Sequence, residues 1–505
     1  MKRNRVQLAC AATAVTVALP FAALVAGTSS AGAAGAAPGP QSTAAAAFTA
    51  AGAGPSAPVA RAAVAATTPA KSSSTNAWTT PVAVGDAPTA AQNGIVTRIG
   101  LTSNGKGTIA WNAGGDSTPA IVTRDFTVSG VLTTGIAIGP GSLVSSVTRD
   151  ATGNVAISGQ SAGSPASAWV ATRAADPSTA WTGLRPVASG VNVAAPAVFG
   201  LKKGFLVAQT TSFIPTSSAD GLPSAAAFGI PIDGSSIPLG KPITGVETGD
   251  FSHGADGSNW ALTSTGHAVT TGRRETSTAS KGKAPKSVAA VVRIGTSPTR
   301  NSILGVDRFG GGAITTVGKE IAIAGLDVQQ TNEIAVRGVP VVAQGEEGKI
   351  GEAVPIDGVP DRRALEVDVA GKIGGGAVVT WLQQTSSKAE NLLGQPKWAI
   401  VDADGNVEER GAFTTATDAR DLRVVRVGTA AVAVWIRGTG TAAKWYAAKI
   451  SDDSVRLIKA PTGTPVGRLE GNLNTSQLTS NGNQVALSFV DAATHTVRVA
   501  VQTLK

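Results

Sequence analysis

Asn76-Ala77-Trp78-Thr79-Thr80-Pro81-Val82-Ala83-Val84-Gly85 reads as a β-strand with no neighbour of its own in the surrounding sequence. At the other end of the chain, His495-Thr-Val-Arg-Val-Ala-Val-Gln502 is the third strand of a unit that stops at Lys505 without a fourth. A first strand that completes the last unit turns a row of sheets into a ring and removes its exposed edges. The ring requires residues 78–85 to lie beside residues 495–502.

Between these two ends one unit recurs. A strand and a Gly or Asn turn lead into a second, apolar strand: Gly107–Trp111, Asn154–Ser158, Gly204–Ala208, Asn259–Thr263, Gly312–Thr316, Gly376–Trp381, Ala430–Trp435 and Asn483–Phe489. Their starts are about 47 to 64 residues apart, close to the spacing of propeller blades. A third strand follows each, at Pro119–Asp125, Ala168–Val170, Ser224–Asp233, Lys286–Ile294, Glu333–Val339, Lys397–Ala399, Lys444–Tyr446 and His495–Gln502. Fourth strands read Arg185–Gly190, Lys241–Gly245 and Val354–Gly358, each with a proline that suits an outer edge. No long stretch shows helical periodicity with caps. The expected fold is therefore all-β, a single β-propeller of eight blades by count. The fourth unit lacks a clear outer strand, which leaves seven as the other count, and two packed β-sandwiches are the alternative architecture.

The chain in front of this repeat has a different composition. Lys2, Arg3 and Arg5 precede an apolar stretch from Val6 to Ala26, and Ser30-Ala31-Gly32-Ala33 supplies small residues at a cleavage-site spacing. This is the three-part layout of a secretory signal peptide, with cleavage expected after Ala33. Retention of the leader as an anchor is the other reading. A lipid on Cys10 would leave no apolar run in front of it. Residues 34–75 are almost entirely Ala, Gly, Pro, Ser and Thr, and such a segment cannot bury enough apolar side chain to offset the cost of ordering it. It is expected to be a disordered tether, with residues 76–505 as the propeller. No later apolar run is long enough to span a membrane, so the exported chain is expected to be soluble, at the envelope or outside the cell, and a monomer.

Composition narrows the chemistry. Cys10 is the one cysteine, so a mature chain has no disulfide and no thiolate metal site. The three histidines, His253, His267 and His495, lack ligand spacing. No metal and no cofactor is expected. Asp402-Ala403-Asp404-Gly405-Asn406 begins like a calcium loop, but it lacks the third ligand before the glycine and reads as a turn between third and fourth strands. Trp111, Trp381 and Trp435 recur at equivalent positions, which points to packing between blades rather than to a sugar platform. No Gly-x-Ser-x-Gly elbow stands in a strand–turn–helix context. Loss of the leader lowers the formal charge from +9 to about +6. The densest cationic stretch is the Ser/Thr-rich insertion with Arg273, Arg274, Lys281, Lys283 and Lys286. It is expected on a rim loop of the fourth unit and is the candidate ligand-binding set, for an anionic cell-wall polymer, a glycan or an envelope protein. No stacking aromatics interleave these charges, so nucleic acid is not an expected partner.

The repeat over residues 76–505 resembles, in architecture, secreted bacterial propellers of the sialidase-like group. That group's Asp-box, Ser/Thr-x-Asp-x-Gly-x-Thr-Trp, has its nearest counterpart in Ser252–Trp260, where the spacing differs. The resemblance would imply an arginine trio and a tyrosine nucleophile. Tyr446 is the one tyrosine, and it sits mid-strand beside Trp445, as a packing residue would. The expected function is a noncatalytic ligand-binding or scaffold propeller. The alternative is a glycan-acting hydrolase or lyase with carboxylates converging on the central channel.

Overall fold

The computed structural model describes residues 77–504 apart from 88–96, 103–105, 114–119, 128–131, 140–142, 162–166, 189–192, 212–223, 245, 248–259, 276–286, 296–298, 303–308, 331–335, 358–363, 385–392 and 467–475. The expected leader and tether lie outside these residues.

The second strands explain the architecture. Ala430–Arg437 is apolar at almost every position, so it cannot have one wet face. Side chains alternate across a strand. Ala431, Ala433 and Trp435 therefore pack toward the blade before, against Trp398 and Ile400. Val432, Val434 and Ile436 pack toward the blade after, against Leu487 and Phe489. A sheet buried on both faces needs a neighbour on both sides, and only a ring supplies that to every sheet.

Eight antiparallel sheets satisfy this demand, five of four strands and three of five, in which one of the four strand positions is split into two short segments. The blades span residues 97–139, 143–188, 193–244, 246–302, 309–355, 364–412, 419–458 and 476–503, and are numbered one to eight in that order. Eight apolar layers fill the eight gaps between them. The layer between blades 8 and 1 joins Val84, Val497 and Val499 to Ile99, Ile109 and Trp111. The ring is closed there by the first described strand, Val82–Asp86, which pairs antiparallel with Thr496–Thr503 as the outer strand of blade 8. Trp111, Trp381 and Trp435 are buried in inter-blade layers, as expected from their recurrence.

Three sequence expectations need correction. Residues 260–262 and 312–316 belong to innermost strands, not second strands: Trp260–Leu262 pairs with Ala268–Glu275, and Phe309–Val317 pairs with Glu320–Gln330. The cause is burial on both faces, which gives first and second strands the same apolar signature. The fourth unit, expected to lack a clear outer strand, has one at Thr299–Ser302, and the expected count of eight blades holds. Its polar sequence, Thr-Arg-Asn-Ser, carries no strand pattern because an outer edge has little to bury.

Strand direction divides the ring into two rims. Turns joining first to second strands and third to fourth strands share one rim, and second-to-third connections leave from the other. The chain enters on the turn rim, because Thr79 donates its amide to the Val501 carbonyl at 2.8 Å and the Leu504 amide reaches the Asn483 turn at 2.8 Å.

Candidate functional site

The inner strands, one per blade, surround the ring axis. Their polar side chains mostly reach across to the next inner strand. In blade 6 the Asp368 carboxylate accepts the amides of Val369 and of Val424 in blade 7, both at 2.8 Å. Glu366 accepts the Leu422 amide at 3.0 Å. In blade 8 the Gln477 side-chain oxygen accepts the Ile99 amide of blade 1 at 2.6 Å. Arg98 donates to the Ser145 carbonyl of blade 2 at 2.7 Å. These bonds satisfy strand-edge amides that face the axis instead of a neighbouring strand.

Two bulges make the strongest pair possible. The register slips between Leu365 and Asp368 in blade 6, and between Arg420 and Arg423 in blade 7. Glu366 and Asp421 sit in the slips with φ of 47° and 53°, a left-handed conformation that side-chain-bearing residues adopt at some cost. The extra residue re-aims the strand, as bulges do.

A cavity of about 330 Å³ opens between the inner strands of blades 5 to 8. Its polar lining includes Thr315, Thr316, Asp368, Arg426, Thr479, Ser480 and Asn481. Ser480 donates to the Arg426 carbonyl, and Asn481 donates to the Leu101 carbonyl at 3.0 Å. Among the described residues Asp368 is the one carboxylate in this lining, and both its oxygens are taken by amides. Among the described residues no pair of carboxylates suited to splitting a glycosidic bond lines this cavity. Two acids do meet elsewhere: Glu320 and Glu346 stand opposite each other in register and, with Gln344, border a cleft of about 140 Å³ on the turn rim between blades 5 and 6.

Two ion clusters, one buried and one part-buried, also lie at the turn rim. Asp125 of blade 1 receives Arg149 at 2.9 Å and Arg173, both from blade 2, and the Thr108 hydroxyl at 2.6 Å. Burial pushes the Arg149 pKa down, and the adjacent Asp125 opposes that shift. Arg173 also lies over the Trp181 ring, 5.0 Å from its centre. Glu347 of blade 5 pairs with His267 and Arg293 of blade 4, each at 3.0 Å, and accepts the Thr265 hydroxyl. Burial would raise the Glu347 carboxyl, but hydrogen bonds from Thr263, Thr265 and Arg293 and the nearby His267 bring it down to about 2. His267 uses Nδ1 for both Thr265 and Glu347, which is a clamp between blades and not a base aimed at a nucleophile.

The expected site residues are only partly placed. Arg273 and Arg274 lie in the second strand of blade 4, opposite Ala289 and Val288, and not on a rim loop. The apolar run Val288–Val292 opposite them extends the pairing past the point where the charges suggested a loop. Lys281, Lys283, Lys286 and His253 lie outside the described residues. Tyr446 packs as expected, stacked on Trp435 with ring centres 5.9 Å apart and capped by Arg437 at 5.2 Å. Asp402 to Asn406 forms the expected turn, with Asp402 accepting the amides of Asp404 and Asn406 and Gly405 at φ 88°. Arg426 escaped the sequence reading, although a charge inside the run Val424-Val-Arg-Val427 was a visible signal.

No protein-family model and no curated protein matches the chain. Similar solved structures include the α-L-arabinanase of Penicillium chrysogenum in complex with arabinobiose, 10% identical over 85% of this chain and 98% of that one, with a TM-score of 0.38. A polysaccharide lyase of family PL25, an ulvan lyase, is 7% identical over 84% of this chain and 94% of its own, with a TM-score of 0.43. The β-propeller domain of the trilobed protease of Pyrococcus furiosus is 10% identical over 72% and 97%, with a TM-score of 0.39. Likeness at this level carries no argument about function, and the fold rests on this chain's own strand pairing.

Proposed function

We propose that the protein is an exported, noncatalytic binding propeller that takes a small hydroxylated ligand, such as the end of a glycan, into the cavity between its inner strands. One observation supports this above the others: the cavity is polar and of ligand size, yet the one carboxylate lining it among the described residues, Asp368, is spent on two backbone amides. Hydrogen-bonding groups without a proton-transfer pair suit recognition better than bond cleavage. In this reading residues 1–33 direct export and residues 34–75 hold the propeller away from its point of emergence.

A glycan array with the purified protein, paired with reducing-end assays on the glycans it retains, tests the proposal. Saturable retention without new reducing ends is expected. Turnover of a retained glycan would replace the binding reading with the enzymatic one, and the Glu320–Glu346 cleft would then be the first place to mutate, through Glu320→Gln and Glu346→Gln.

A further inference from the structure

We infer that Arg426 is the anchor of an anion subsite in the inner-strand cavity, and that the ligand it selects is a small hydroxylated carboxylate of sugar-acid type. This inference rests on the reading of the cavity as a binding site and gives that site its charge preference.

Arg426 lies near the turn end of the inner strand of blade 7, one residue before Val427, which pairs with Ala430 across the turn. It is half-buried and borders the cavity of about 330 Å³. Among the described residues its guanidinium has no hydrogen-bond or ion-pair partner. That sets it apart from Arg149, Arg173, Arg293, Arg437 and Arg498, each of which has a carboxylate. The two acids close to its surroundings are already engaged. Asp368 holds two amides, and Asp452, which shares a narrow cleft with Arg426 between blades 6 and 7, is held by Lys372 at 3.1 Å.

Arg426 borders a partly enclosed, polar cavity, and a guanidinium without a partner keeps its forked donors for whatever enters. The fork matches a carboxylate in two parallel hydrogen bonds. The hydroxyls of Thr315 and Thr479 also border the cavity and have no partner among the described residues, so they remain for the hydroxyls of the same ligand. The volume limits the entering group to about one or two sugar rings.

Isothermal titration of the purified protein with D-glucuronate, D-glucose and inorganic sulfate reads this out. Glucuronate is expected to bind the parent protein, and Arg426→Gln is expected to weaken it by about tenfold or more. Arg426→Lys keeps the charge without the fork and should fall between. Glucose binding should be weaker and indifferent to Arg426→Gln, and sulfate should compete with glucuronate. Unchanged melting by circular dichroism checks that the variants fold. Equal glucuronate affinity in parent and Arg426→Gln, or no binding of either anion by the parent, overturns the subsite. Thr479→Trp, or Thr315→Trp from the opposite wall, plugs the cavity and separates the two levels. A glycan lost on plugging but kept by Arg426→Gln sinks the anion anchor and leaves the cavity reading standing. A glycan indifferent to both changes sinks both.

Discussion

Val82, at the start of the first described strand, stands directly opposite Val499 in the last strand of the chain. Residues more than four hundred positions apart thus share one sheet, and the pairing continues through Asp86 opposite Thr496. Trp78 extends the contact into the layer between blades 7 and 8, where it is buried beside Leu504.

Closure should therefore govern stability well beyond one strand. Trp78→Ala is expected to cost about 3–5 kcal/mol, the usual range for emptying a buried aromatic site. Urea denaturation followed by tryptophan fluorescence measures it. A chain beginning after Ala87 opens the edge of blade 8 and should also self-associate, visible by light scattering. Parent-like stability and a monomeric state in that shortened chain would break the closure argument.

Asp125 is expected to be the most sensitive charged position on the turn rim. Arg149 and Arg173 expose only 4% and 2% of their side chains, so Asp125→Ala leaves two guanidinium groups buried against each other. Breaking a buried pair from one side costs about 3–5 kcal/mol. Asp125→Asn retains an acceptor and should cost less. Equal, small losses for both would mean that the cluster is solvated in practice.

Much of this was legible in the sequence, and the exceptions share a cause. Strands such as Ala430–Arg437 announce themselves by continuous apolar runs, and Asn76–Gly85 announces closure by having no local partner. The same two-faced burial hides which strand of a blade is which, so the sequence pattern puts Trp260 and Ala313 one strand too far out. Thr299–Ser302 reads Thr-Arg-Asn-Ser, polar throughout, and leaves no pattern. The cavity is not legible in the sequence, because inner strands from four blades, spread over residues 314–482, each contribute one to three ordinary polar side chains. Arg273 and Arg274 show the reverse error: clustered charge suggested a loop, yet strand pairing with Val288 and Ala289 prevailed.

Acid should loosen the joint between blades 4 and 5. The Glu347 carboxyl is held at about 2 when folded, against an ordinary value of 4.5. A carboxyl depressed in the folded state contributes its stability fully above pH about 4.5, and loses it as pH falls toward 2. The contribution is at most about 3 kcal/mol by the size of the shift. Glu347→Gln should lower stability at neutral pH and flatten the acid limb of the curve between pH about 5 and 2. Stability curves that stay parallel for parent and variant across that window would remove Glu347 from the account.

Asp368 offers the sharpest separation of support from catalysis. Its two oxygens each accept a buried amide, Val369 within its own strand and Val424 on the next blade. Asp368→Ala leaves both amides unpaired, at a cost of about 1–3 kcal/mol each. Asp368→Asn keeps one acceptor oxygen and turns an amine toward the other N–H, so it should lose roughly half as much. A supporting residue predicts that ligand affinity falls in step with stability and recovers when the variants are held folded by lower temperature. A proton-transferring residue predicts the opposite for Asp368→Asn: a fold close to the parent's, ligand still bound, and turnover gone. Titration and turnover measured on the same Asp368→Asn sample, below its melting range, decide between a clamp that spans two inner strands and a carboxylate that does chemistry in the channel.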